Sequence, residues 1–114
     1  MNESLSGLLP PDVVRNWDNA LNTVCSLFPA STVEQCKQRL LSTLTNTDQI
    51  GENAISSAMA ALCEQFALEV SRIEDGHIAE LQDEMSDEQI YALSNLLYVM
   101  DMQLRLDLIA KEVL

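Results

Sequence analysis

From Ser86 to Leu114 the chain reads SDEQIYALSNLLYVMDMQLRLDLIAKEVL, with neither proline nor glycine in it. The apolar residues recur at helical spacing, so the passage predicts one unbroken helix. At 1.5 Å per residue it would reach about 40 Å. Ile90, Leu93, Leu97, Met100, Leu104 and Leu108 form one stripe. Leu96, Val99, Met102, Leu106, Ile109 and Val113 form a second. A helix apolar on two sides is the middle of its own bundle or half of an interface between copies. In a domain of this size the second arrangement is favoured, so self-association is expected.

The start of that helix is marked by its own chemistry. Ser86 and Gln89 have the spacing of a capping box, and Met85 and Ile90 that of a hydrophobic staple. Asp87 and Glu88 in the first turn and Lys111 near the end complement the helix dipole. Asp101 and Arg105, four apart, pair on the surface.

Upstream, all three prolines and all three glycines fall between periodic segments. A first helix is predicted from Asp12 to Phe28, with Pro11 suiting its first turn and Pro29 stopping it. A second opens at a capping box of Ser31 and Glu34 and carries Val33, Cys36, Leu40, Leu41 and Leu44. A long central helix is predicted from Glu52 to Glu74, its face made of Ile55, Met59, Leu62, Cys63, Phe66, Val70 and Ile73. A short fourth helix, capped by Asp75, carries Ile78, Leu81 and Met85. No alternating strand pattern, repeat or linker interrupts the series.

The fold class is therefore all-α, a compact bundle of about five helices in one domain over residues 10–114. Residues 1–9 form a flexible lead-in, with Leu8 and Leu9 available to pin it. Trp17, Leu21, Leu40, Leu44, Met59, Leu62, Phe66, Ile73, Leu93, Leu97 and Met100 are the predicted core. At 114 residues such a chain buries enough surface to need no staples.

Eighteen acids against six bases give a net charge of −12, which argues against direct binding to nucleic acid or to an anionic membrane surface. No stretch approaches eighteen uninterrupted apolar residues, and the N-terminal MNESLSGLLPPD lacks the basic and apolar regions of a signal peptide. Cys25, Cys36 and Cys63 lie on apolar stripes, which fits reduced thiols packed as small hydrophobes in a cytoplasmic protein better than a disulfide framework.

Residues 75–114 resemble the C-terminal part of the carboxymuconolactone decarboxylase and alkylhydroperoxidase D-like superfamily. The similarity rests on the short helix, the Ser-Asp-Glu-Gln-Ile start, and a long apolar helix ending in Arg-Leu and Ala-Lys-Glu-Val-Leu segments. It covers a little over a third of the chain. It implies an all-α fold, homo-oligomerisation, and Arg105 at the family's C-terminal arginine position. The chain departs from the family where the chemistry lies. The peroxidase branch uses a Cys-x-x-Cys pair with a Glu and a His, and no Cys-x-x-Cys occurs here. The decarboxylase branch uses a histidine upstream of the last helix. His77 is the sole histidine, and it sits nearer to Ser86 than the family spacing.

One histidine and three dispersed cysteines do not make a zinc site, and no phosphate loop or GxSxG elbow is present. No metal and no cofactor is expected. Acids concentrate between Glu64 and Glu88. Within that run Glu74, Asp75, Glu80, Asp83, Glu84, Asp87 and Glu88 form a candidate docking surface for a basic protein, set against the plainer reading of a solvated face. Two function classes follow. One is a small acidic, non-catalytic helical module that binds protein as an adaptor, chaperone or inhibitor. The other is a divergent decarboxylase-like enzyme, acting on a small molecule at a subunit interface with His77 and Arg105 as its candidate catalytic residues.

Overall fold

A computed structural model describes residues 7–46 and 55–113. Among them five α-helices form a bundle without strands: α1 Pro11–Cys25, α2 Ala30–Thr45, α3 Ser57–Glu69, α4 Asp75–Gln82 and α5 Asp87–Val113. The predicted helix start at Glu52, the loop around Gly51 and the terminal Leu114 lie outside the described residues.

α5 sets the dimensions. Its 27 residues give about 40 Å of helix, matching the long axis of the 43 × 29 × 28 Å molecule. The first of its two predicted stripes faces inward: Ile90, Leu93, Leu97, Met100 and Leu104 are buried, together with Leu96 from the second. Against them pack Cys36 and Leu40 of α2, Met59, Leu62, Cys63, Phe66 and Ala67 of α3, and Leu81 of α4. Seven of the eleven predicted core residues are buried, whereas Trp17, Leu21, Leu44 and Ile73 are half-buried.

The helix ends separate legible signals from misleading ones. At α5 the predicted box forms: Gln89 N–H donates to Ser86 Oγ at 3.2 Å, and Ser86 N–H donates to Gln89 Oε1 at 2.9 Å. At α2 it does not. Pro29, extended at φ −57° and ψ 146°, is the N-cap, and its carbonyl accepts from Val33 N–H at 3.1 Å. The proline ring already holds the backbone at the angle a helix needs on entry, so Ser31 falls inside the first turn.

The predicted central helix is shorter than its apolar spacing suggests. It begins after Ser56, whose hydroxyl accepts from Met59 N–H at 3.2 Å, leaving Ile55 outside. It ends at Glu69, where the backbone turns extended and a 3₁₀ turn, Val70–Arg72, follows. Arg72 Nε pairs with Glu69 Oε2 across that turn at 2.9 Å. α1 likewise ends at Cys25, before the predicted Phe28.

α1 is the outlying element. None of its residues is buried, and it leans chiefly on α5. Leu8 and Leu9 are exposed rather than pinned to the core.

Candidate functional site

Both residues advanced as catalytic candidates have structural partners. His77 sits at the third position of α4, where its Nδ1 accepts from Glu74 N–H at 3.0 Å. Glu74, not Asp75, is therefore the N-cap residue of α4, and the imidazole satisfies a backbone donor that helix geometry leaves open. With Nδ1 as acceptor, the neutral ring carries its proton on Nε2.

Arg105 ties α5 to the end of α3. Its Nη2 donates to the carbonyl of Ala67 at 2.6 Å, and its Nε donates to Asp101 Oδ2 at 2.9 Å. A cation on the last carbonyls of a helix satisfies an orphan acceptor and complements the dipole. The predicted Asp101–Arg105 pair is thus present, and the Ala67 contact adds a long-range anchor that spacing alone does not reveal. Neither His77 nor Arg105 lines either of the two cavities described below.

The cysteines are free thiols. Cys36 of α2 and Cys63 of α3 are wholly buried and hydrogen-bonded to one another. Sharing the proton with Cys36, together with burial, pushes the Cys63 thiol far above its ordinary range, because a thiolate there would be unsolvated. Beside them Arg39 Nη1 pairs with Glu64 Oε1 at 3.2 Å, clamping the same two helices at their rim. Cys25 is half-exposed on α1, and burial raises its thiol against the opposing pull of Lys37.

The seven candidate docking acids are all exposed, along α4 and its turn into α5. None makes an ion pair among the described residues. Glu74 and Asp75 stand at the start of α4, and Asp87 and Glu88 at the start of α5, where carboxylates favour the helix dipole. Glu84 and Asp87 also have neutral partners across helix boundaries: Ser56 Oγ donates to Glu84, and Gln82 Nε2 donates to Asp87 at 3.0 Å. An open cleft of about 580 Å³ adjoins this end, between Leu27, Phe28 and Pro29 on one side and Ser86, Glu88 and Ala92 on the other.

A smaller cavity of about 200 Å³ lies between α1, α2 and α5. Leu21, Cys25, Val33, Met100 and Leu104 make its apolar walls, and Glu34, Lys37, Gln103 and Asp107 its polar margin. Trp17 Nε1–H donates to Gln103 Oε1, and Gln103 Nε2 donates to Asp107 Oδ1 at 2.9 Å. The single tryptophan thereby fixes a carboxylate at the cavity's edge. Sequence reading placed Trp17 in the core and missed this relay, since nothing in the spacing relates residues 86 positions apart.

The outer face of α5 carries the most conspicuous apolar feature. Tyr91, Tyr98, Met102, Ile109 and Val113 are between 50% and 74% exposed. At 100° per residue they fall within about 60° of one another, so they form one line rather than a scatter. Tyr98 is anchored edge-on against Phe66, ring centroids 4.6 Å apart. Leu68 and Val70, just beyond Phe66 at the end of α3, are exposed as well. Only part of the predicted second stripe is exposed: Leu96 is buried and Val99 and Leu106 are half-buried, while the two tyrosines complete the line.

Comparison with protein-family models, with curated proteins and with solved structures returned no match. Among the described residues no three His, Cys, Asp or Glu side chains gather in a way that could hold a metal ion, and no helix is long and apolar enough to cross a membrane.

Proposed function

We propose that this chain is a small acidic, non-catalytic protein-binding module of the adaptor, chaperone or inhibitor type, which self-associates through the outer face of α5. The observation that carries this reading is the exposed line from Tyr91 to Val113. From Tyr91 to Val113 it runs about 33 Å along the helix, and monomeric proteins rarely expose apolar surface in so continuous a form.

The occupant of that line is a second copy. Tyr91 and Val113 lie eleven positions on either side of Met102. An antiparallel pairing about a twofold axis at Met102 lays the aromatic half of each helix on the aliphatic half of the other, the self-complementarity an isologous interface requires. Five side chains of this exposure offer on the order of 500 Å² per copy, which places the pair near the roughly 1,000 Å² lower bound of a specific interface. The association is accordingly weak, and reversible in the micromolar range.

With the line covered, Glu74, Asp75, Glu80, Asp83, Glu84, Asp87 and Glu88 remain outward as a surface for a basic protein. Their lack of ion pairs supports that role. The alternative, a divergent carboxymuconolactone decarboxylase-like enzyme, draws on the resemblance of residues 75–114. It is less favoured because His77 caps the start of α4, Arg105 is held by Asp101 and by the carbonyl of Ala67 at the end of α3, and neither lines the two cavities described above.

Light scattering over a concentration series tests the reading. Wild type should shift from monomer to dimer mass over the micromolar range. Met102→Asp and Ile109→Asp, both on the outer face, should stay monomeric with unchanged helical circular dichroism. A wild type that remains monomeric at millimolar concentration would refute self-association, and turnover lost on His77→Ala would favour the enzyme.

A further inference from the structure

We propose that the cavity between α1, α2 and α5 binds a small molecule with an apolar body and a protonated amine. This inference is independent of the docking role assigned to α5, since the cavity lies on the inner side of that helix.

Size comes first. A dry cavity of about 150 Å³ takes benzene, whereas drug-sized ligands occupy roughly 300–1,000 Å³. At about 200 Å³ this one suits a six-carbon chain or a single substituted ring. The walls are apolar: Leu21, Val33, Met100 and Leu104 line it. The Cys25 thiol keeps its proton because burial raises it, so it lines the wall as a small hydrophobe and adds no charge.

The margin then selects the head group. Two carboxylates, Glu34 and Asp107, and one ammonium, Lys37, line it. Lys37 forms no ion pair among the described residues, and its stem lets the ammonium extend into water. Asp107 is different, because the Trp17–Gln103 relay holds it in place through one oxygen. A carboxylate offers about four acceptor sites, so most of its capacity is open to an entering ammonium. The field of a chain with net charge −12 favours the same sign of ligand.

The entry route follows from the fold. α1 has no buried residue and forms one wall of the cavity through Leu21 and Cys25. Outward movement of this lightly held helix admits a ligand without disturbing the core of α2, α3 and α5. Bound ligand would add contacts to α1, and Trp17 reports on them.

Hexylamine, hexanol and hexanoate at matched ionic strength serve as probes, read by thermal unfolding and by Trp17 fluorescence titration. Hexylamine should bind at least tenfold tighter than hexanol, and hexanoate should bind least. Asp107→Asn should bring hexylamine down to the hexanol level while hexanol is unaffected. Val33→Phe, which fills the cavity at unchanged net charge and leaves Trp17 the single tryptophan, should lose both; Leu21→Phe takes its place if that variant does not fold. Hexylamine binding equally to the filled variant would mean that the acidic surface alone attracts it, and would overturn the proposal. So would equal binding of hexanoate, or no response to any of the three.

Discussion

Ser86 and Gln89 exchange two hydrogen bonds at the start of α5, each satisfying a backbone donor that the helix leaves open. Ser86→Ala removes one and should lower stability by about 0.5–2 kcal/mol in urea unfolding; a change below about 0.2 kcal/mol would mean that the cap is dispensable. The box was legible because Ser86 and Gln89 satisfy one another within a single turn and no neighbouring residue opposes them. Ser31 and Glu34 carry an equally good motif, but Pro29 stands two residues ahead with its backbone already extended, and the stiffer residue prevails. Cys63 shows the opposite limit. Its stripe position was readable, while its partnership with Cys36 depends on how α2 and α3 meet. That partnership makes stability depend on pH. The Cys63 thiol is raised in the folded state, so its contribution is fully present below the ordinary thiol value of 9.0 and is lost as pH rises above it, where only the unfolded chain releases the proton. The same hydrogen bond lowers Cys36, so above about pH 9 the folded pair holds one proton that the unfolded chain has released, and wild type should lose stability there faster than a Cys36→Ala/Cys63→Ala double variant, by up to about 1.4 kcal/mol per pH unit. Equal slopes in denaturant titrations would remove the thiol pair as the cause.

Among the elements, α3 and α5 are joined by one side chain whose role exceeds its pairwise charge. Asp101 Oδ1 is buried with no hydrogen-bond partner among the described residues, so its Oδ2 contact with Arg105 is the compensation that carboxylate has. Arg105→Ala removes that contact and also uncovers the Ala67 carbonyl. The loss should be about 1–3 kcal/mol, well above the few tenths of an exposed i,i+4 pair. Arg105→Lys should recover only part of it, because an ammonium lacks the fork that reaches both acceptors. A loss in Arg105→Ala no larger than that of a surface pair would show that the Ala67 contact adds nothing. The limits of α3 were the least legible part of the fold. Ile55, Val70 and Ile73 continue its apolar spacing, yet Ser56 and Glu69 end it from either side. Periodicity reports which face is buried and is blind to where a local hydrogen bond stops the helix.

At the level of the whole molecule, the proposed self-association has to overcome charge. Two copies of a chain with net charge −12 repel across a screening length of about 10 Å at 0.1 M salt, and about 3 Å at 1 M. The apolar line on α5 gains from contact whatever the salt, so added salt removes the opposing term and leaves the favourable one. Self-association should therefore strengthen as sodium chloride is raised from about 0.02 to 0.5 M, with a dissociation constant at least tenfold lower by sedimentation equilibrium. A basic partner on the acidic segment obeys the reverse rule, since its attraction is the term that salt screens. Binding of an oligolysine peptide should weaken over the same range, and should fall further in a variant with Asp83, Glu84 and Glu88 changed to their amides. That variant should also dimerise more tightly at low salt, because it carries less charge into the pair. If dimerisation instead weakened with salt, the copies would be held by ion pairs. The line from Tyr91 to Val113 would then be the surface left open for a different protein.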